Sequence, residues 1–233
     1  MRLLVSPRDV EEAMAAVEGG ADIVDVKNPS EGSLGASFPW VIREIKNKLP
    51  GGIELSAAIG DLDFKPGTAS LAAYGVSLLN VDYIKVGFYG IRDLRDALEM
   101  GRFLNRAISS TRSRLVLAGY ADYKEIGAID PLLLPEIARQ VGAHGVMIDT
   151  ARKNSAGLFQ HLDISAVGDF VEESKNAGLA SALAGSLGFD DLAALKTIQP
   201  DVVGIRGLAC SGGDRNKGRI SAERVRRIKD FIR

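Results

Sequence analysis

The sequence predicts an α/β protein folded as a single-domain (β/α)8 barrel of the TIM-barrel class, and three observations lead there. Short apolar runs alternate with helical stretches along the whole chain, eight of each can be counted, and the first turn after a strand, "SPRD", has no glycine-rich fingerprint. Strict alternation of this kind requires parallel strands joined by crossover helices, and eight such units suit a closed barrel. An open doubly wound sheet usually carries the dinucleotide fingerprint after an early strand, so its absence favours the barrel. At 233 residues the chain is read as one domain over 1–233.

The first unit pairs "RLLVS" with a helix that has clear start and stop signals: Ser6 as N-cap, Pro7 at the first helical position, acids in the first turn, and Gly19 and Gly20 as the stop. The second strand, "ADIVDVK", is apolar on both faces apart from Asp25 and Lys27, and its helix is "PWVIREIKNKL". The third unit is "GIELSAAIG" with "TASLAAYGVSLL"; Glu54 in that strand is assigned to a polar layer inside the barrel. The fourth is "DYIKVGF" with "IRDLRDALEMGRFLNRAI", and the fifth is "RLVLAGYA" with "PLLLPEIARQVG". The sixth joins "HGVMID" to "DISAVGDFVEESKNAG", the seventh "GLASALAGS" to "DDLAALKTI", and the eighth "DVVGIRGLA" to "SAERVRRIKDFI". The elements "GGAD", "VGAHG" and "NAGLA" are helix-stop and strand-start punctuation, which argues against a separate repeat architecture.

Composition narrows the function classes. Hydrophobic residues make up 46% and charged residues 25%, which is ordinary for a compact soluble protein. A formal net charge of -1 and scattered basic residues make nucleic acid an unexpected partner; the basic "RVRRIKDFIR" fits a solvated helix face. The N-terminus has only a three-residue apolar run, far short of a signal peptide, and no window approaches a spanning helix, so a cytoplasmic location without membrane association is expected. One cysteine, Cys210, excludes an internal disulfide, and His144 and His161 do not share a ligand spacing, so neither a metal nor another cofactor is expected. Nothing in the chain excludes a homo-oligomer.

In a barrel of this class the active site lies at the C-terminal ends of the strands and in the loops that follow them. Asp25 and Lys27 are at that end of the second strand, two residues apart and therefore on one face. Lys85 is near the end of the fourth strand, and Asp149 ends the sixth, with Lys153 four residues on. Alternate strands contribute side chains to one layer, so these two carboxylates and the strand lysines are expected to converge. A single lysine at a strand end is ordinarily solvated, and Asp25 or Asp149 alone reads equally well as a neutralising acid or a cap. Lys27 and Lys85 both sit among apolar neighbours, however. Two ammoniums close together in an apolar pocket lower each other's pKa, which leaves one amine free to attack a carbonyl. The pattern therefore points to imine catalysis, with the second lysine moving protons, a carboxylate orienting it, and Asp25 holding its strand neighbour Lys27 in orientation.

The last two units suggest where an anion binds. "AGSLGFDDL" places Gly185 and Ser186 before a helix, and "RGLACSGGDRNKGRIS" supplies Arg206, Gly207, Gly212 and Gly213. Phosphates in these barrels are frequently held by the loops after strands seven and eight, by glycine amides and helix N-termini. A small phosphorylated carbonyl compound is the substrate class that joins the two halves of the site.

Together, "DIVDVKNPSEGSLGA", "DYIKVGF", "IDTARK" and "CSGGDRNKGRI" resemble the (5-formylfuran-3-yl)methyl phosphate synthase family, also called 4-(hydroxymethyl)-2-furancarboxaldehyde-phosphate synthases, of methanofuran biosynthesis, and the resemblance covers the whole chain. It implies a lyase that condenses two molecules of glyceraldehyde 3-phosphate, a triose phosphate, with loss of one phosphate and water and closure of a furan ring. It further implies that Lys27 forms the Schiff base, that Lys85 accepts a proton, and that Asp149 and Lys153 are further site residues. A class I aldolase acting on another sugar phosphate shares the imine and the phosphate site. A barrel that only binds a phosphate ligand would use the lysines as anion anchors.

Overall fold

The computed structural model describes residues 1–152 and 156–233. Eight parallel strands pair in sequence order and close when the last returns to the first. They are β1 (Arg2–Val5), β2 (Ile23–Val26), β3 (Glu54–Asp63), β4 (Tyr83–Gly90), β5 (Arg114–Tyr120), β6 (Gly145–Asp149), β7 (Ala180–Leu183) and β8 (Val202–Ile205). The crossover helices are α1 (Val10–Glu18), α2 (Pro39–Lys48), α3 (Pro66–Ser77), α4 (Leu94–Ile108), α6 (Leu134–Val141), α8 (Ile164–Asn176), α9 (Phe189–Ile198) and α10 (Ala222–Ile232). Two one-turn helices, α5 (Tyr123–Ile126) and α7 (Leu158–His161), lie in the loops after β5 and β6. Four residues are too few for helical periodicity to appear in a sequence. No helix among the described residues is long and apolar enough to cross a membrane.

Strand alternation sorts the core into two shells. Val24, Val26, Ile84, Val86, Leu117, Ile148 and Leu183 face outward and are buried beneath the helix ring. The inward shell holds Leu4, Ile23, Ala58, Ala118, Met147, Ala182 and Ala184, and many of these side chains are small. Burying each large outward side chain contributes roughly 1.5–3 kcal/mol, which fixes the register, because a one-residue slip would turn every one of them inward. The polar layer expected around Glu54 is present at the N-terminal end of the barrel. Glu54 there pairs with the guanidiniums of Arg2 and Arg114 and accepts a hydrogen bond from the Tyr83 hydroxyl.

The first helix begins later than its sequence suggests. Asp9 is its N-cap, accepting from the Glu12 amide at 2.9 Å, so Pro7 falls in the connecting turn and Ser6 does not cap. Ser6 instead continues the line of β1, its amide donating to the Ile205 carbonyl, which turns its side chain into the barrel. Similarly, Asp93 caps α4, and the fifth helical stretch divides into a 3-10 turn, Pro131–Leu133, and α6. Pro135 in the first turn of α6 has no amide to donate, which costs nothing at a helix start.

Candidate active site

Of the four described charged residues expected at the mouth, Lys27 and Asp149 line its cavity while Asp25 and Lys85 lie below it, and all are buried: Asp25 is 0% exposed, Lys85 and Asp149 2%, and Lys27 5%. They occupy two layers rather than one. In the lower layer Lys85 Nζ donates to Asp25 Oδ2 at 2.7 Å and lies 3.8 Å from Met147 Sδ. In the upper layer Lys27 Nζ is 3.7 Å from Asp149 Oδ2, while Asp149 Oδ1 accepts from the Thr150 amide. The expectation that Asp25 orients Lys27 is therefore corrected: its hydrogen bond goes to Lys85. The reason is geometric. Residues two apart on a strand share a face but are displaced along it by about 6.6 Å, one layer of the barrel. Lys153 lies outside the described residues.

Burial works against charge on Asp25, but Lys85 and Lys27 outweigh it and hold the carboxyl below the usual carboxylate range. Ser6 Oγ adds a 3.0 Å hydrogen bond to the same Oδ2. The Ser6 carbonyl in turn accepts from Arg206 Nη1 at 2.6 Å, and that nitrogen also meets Glu12 Oε2 at 2.8 Å. A continuous line of contacts thus runs from α1 through Arg206 and Ser6 to the Asp25–Lys85 pair.

A cavity of about 450 Å³ opens at the C-terminal ends of the strands, and Ser6, Lys27, Asp149, Ser186, Arg206 and Arg215 are among its lining. Gly185, Gly207 and Gly213 line it too, whereas Gly212 is exposed and does not. Gly185 (φ 109) and Ser186 (φ 51) take the left-handed conformation there, an uncommon one for serine. The donors expected for an anion are partly engaged elsewhere. The Gly188 amide is held by the Asp191 carboxylate at 2.7 Å, and the Gly213 amide donates to the Cys210 carbonyl. Arg206 is committed to Glu12, to Ser6 and, through Nε, to the Arg215 carbonyl. Its remaining nitrogen, Nη2, is buried without a hydrogen-bond partner among the described residues, and the second cation lining this cavity after β8 is Arg215. Burial draws its guanidinium below its usual range, and Asp149 acts in the opposite direction.

Four further side chains shape the site without a signal in the sequence. The Tyr120 hydroxyl donates to Asp61, and Asp61 also accepts from the Leu34 amide, tying the loop after β2 to β3 and β5. Burial and the Asp61 carboxylate push the Tyr120 hydroxyl well above its usual range, so it stays a neutral donor. Burial also raises Asp61, with the Tyr120 and Leu34 hydrogen bonds opposing the rise. Gly87 makes the pair possible, because a methyl group there would collide with the Tyr120 hydroxyl and Asp61 Oδ1. Asp122 accepts from the amides of Ala151 and Arg152 at 2.7 and 2.8 Å and fixes the start of the loop after β6. Ser6 is the fourth.

The arrangement provides two amines shielded from bulk water, each beside its own carboxylate, under a cavity with a cationic rim. That is the equipment of covalent amine chemistry on a small anionic carbonyl compound. Comparison with known proteins gives the family. A family model described as 4-HFC-P synthase matches residues 3–229. The chain is 50% identical over 235 residues to a (5-formylfuran-3-yl)methyl phosphate synthase from Methanococcus maripaludis, covering 100% of both chains. It is 48% identical, again over 100% of both, to the protein of that name from Methanocaldococcus jannaschii. Among solved structures, phosphoribosyl anthranilate isomerase from Thermotoga maritima is similar with a TM-score of 0.65 at 16% identity, covering 100% of this chain and 98% of that one. At that identity the likeness speaks for the barrel alone.

Proposed function

The chain belongs to the 4-HFC-P synthase family, and from that premise we propose that it condenses two molecules of glyceraldehyde 3-phosphate, through an imine on Lys27, to 4-(hydroxymethyl)-2-furancarboxaldehyde phosphate for methanofuran biosynthesis. The observation that supports the reading is the separate placement of the two lysines. Lys27 opens to the front cavity beside Asp149, and Lys85 lies one layer deeper, held by Asp25.

Lys27 Nζ attacks the aldehyde carbon, and loss of water leaves the imine. Asp149 is placed to receive the ammonium proton that must leave before attack. The protonated imine withdraws electrons, so a neighbouring C–H becomes acidic, and Lys85, once its own ammonium proton has passed to water, removes it, giving an enamine. The enamine expels phosphate by β-elimination or attacks the second aldehyde, and cyclisation with dehydration completes the ring. Arg215 and Ser186, which line the cavity, hold a substrate phosphate, with Arg206 behind them keeping Ser6 and Asp25 in place. The substrate is a small molecule, and the chemistry makes the chain a lyase.

The test is reductive trapping. Sodium borohydride with glyceraldehyde 3-phosphate should inactivate the protein irreversibly, and peptide mapping should find the adduct on Lys27. Lys27→Arg should lose both adduct and furan product, because a guanidinium stays protonated. An adduct on Lys85, with Lys27→Arg still active, would overturn the assignment.

A further inference from the structure

The barrel interior holds a second cavity. It measures about 400 Å³ and opens at the N-terminal ends of the strands, where Arg2, Tyr83, Arg114 and His144 line its rim. Its inner wall is formed by Ser56 and Lys85. Lys27 lines the front cavity and not this one, and Lys85 lines this one and not the front. Leu4 and Met147 border both, and Lys85 Nζ, 3.8 Å from Met147 Sδ, stands where the two cavities adjoin. The space exists because the inward positions of β7 are alanines: Ala180 and Ala182 both line it. Interiors of this fold are normally packed solid by layers of branched side chains. A polar-rimmed cavity of this size has room for several waters, with Lys85, Ser56, Tyr83 and the guanidiniums as partners.

We propose that this rear cavity is the route by which Lys85 exchanges protons with solvent while substrate fills the front. The inference rests on Lys85 being the base of the reaction. In the step concerned, the Lys85 amine takes a proton from the carbon next to the Lys27 imine, and the C–H electrons form the enamine double bond. The resulting ammonium stays beside Asp25 and passes its proton to water in the rear cavity, which carries it past Tyr83 and Arg114 to the bulk. Lys85 is an amine again, and nothing has left through the mouth. A base that discharges behind the substrate needs no water in the front beside the imine, which water would hydrolyse.

The experiment fills the cavity. In Ala182→Leu the larger side chain occupies the space between Met147 and Val202, the two residues paired across from it. Glyceraldehyde 3-phosphate is incubated with the protein in D2O, and deuterium gained at the carbon next to the carbonyl is measured in recovered substrate against a protein-free control. Incorporation should fall roughly a hundredfold, the low end of a proton-transfer contribution, while borohydride trapping on Lys27 is unchanged. Ala180→Val, nearer the rim, repeats the test should Ala182→Leu fail to fold. Unchanged incorporation in a folded variant, where Lys85→Ala abolishes it, would overturn the route alone. Wild-type incorporation in Lys85→Ala would instead remove the base assignment, and the route with it.

Discussion

Arg206→Met should separate a structural arginine from a substrate-binding one. Both members of the pair it breaks are inaccessible, the Arg206 side chain being 4% exposed and that of Glu12 0%. Removing one partner of a buried ion pair costs about 3–5 kcal/mol, because the other is left as an uncompensated charge. Glu12 keeps a contact to Arg8 at 3.1 Å, and Arg8 is only partly buried, so the loss belongs at the low end, about 3 kcal/mol. For a domain of this size that corresponds to a Tm lower by roughly 6–12 °C. Urea unfolding should show a lower midpoint with an unchanged slope. Glu12→Leu combined with Arg206→Met should recover most of the loss, since an apolar pair of similar volume is often as stable as the ion pair. Activity provides a second axis. Losing the bond to the Ser6 carbonyl loosens Ser6 and, through it, Asp25, so kcat should fall more than KM rises. A variant of wild-type stability with a raised KM alone would refute the argument and return Arg206 to the phosphate.

Arg215→Ala should do the reverse, raising KM for glyceraldehyde 3-phosphate about tenfold or more while stability changes by less than about 1 kcal/mol; steady-state kinetics beside urea midpoints decide it. Gly87→Ala should cost about 1–3 kcal/mol, because the methyl group must displace Tyr120 or Asp61 from a packed mouth; a wild-type urea midpoint would contradict the close approach. Asp25 predicts a pH dependence. Its carboxyl is held below the usual range in the folded state, so it adds stability that is fully present above the unfolded pKa of about 3.9 and is lost as pH falls through the lower folded value. The stability gap between wild type and Asp25→Asn should thus be level from pH 7 to pH 5 and close below pH 4. A gap that widens on acidification would mean that burial, not the lysines, controls Asp25.

The barrel is legible because strand and helix periodicities differ, and because burial on both faces leaves runs such as "DIVDV" and "YIKV" in which charge stands out. Lys27, Lys85, Asp25 and Asp149 are legible for the same reason: each breaks an apolar run at the end of a strand. Which acid meets which lysine is not, since layer membership depends on strand tilt, and a sequence contains no tilt. Ser6 carries a helix-start pattern that is physically sound, but Asp9 offers the same cap three residues later and prevails. The Tyr120–Asp61 bond spans 59 positions and depends on a glycine on a third strand, so no local pattern announces it. Arg206 and Arg215 are both arginines in a glycine-rich loop, and only Glu12, brought across from α1, tells them apart.

The closure of β8 onto β1 also determines when this protein can acquire a function during its synthesis. The seam joins the two ends of the chain: Arg206 reaches back to Glu12, Arg219 to Asp9 and Lys229 to Asp22. Contacts between such distant positions form late, because the entropy of closing the whole chain must be met before they yield anything in return. A nascent chain that has emerged only as far as β7 already contains both lysines and both carboxylates. Without β8 it has an open sheet, with water reaching Lys27 and Lys85 from the side, and Ser6 without the guanidinium that holds it. The two lysines and their carboxylates are thus enclosed and aligned together only when the final strand arrives.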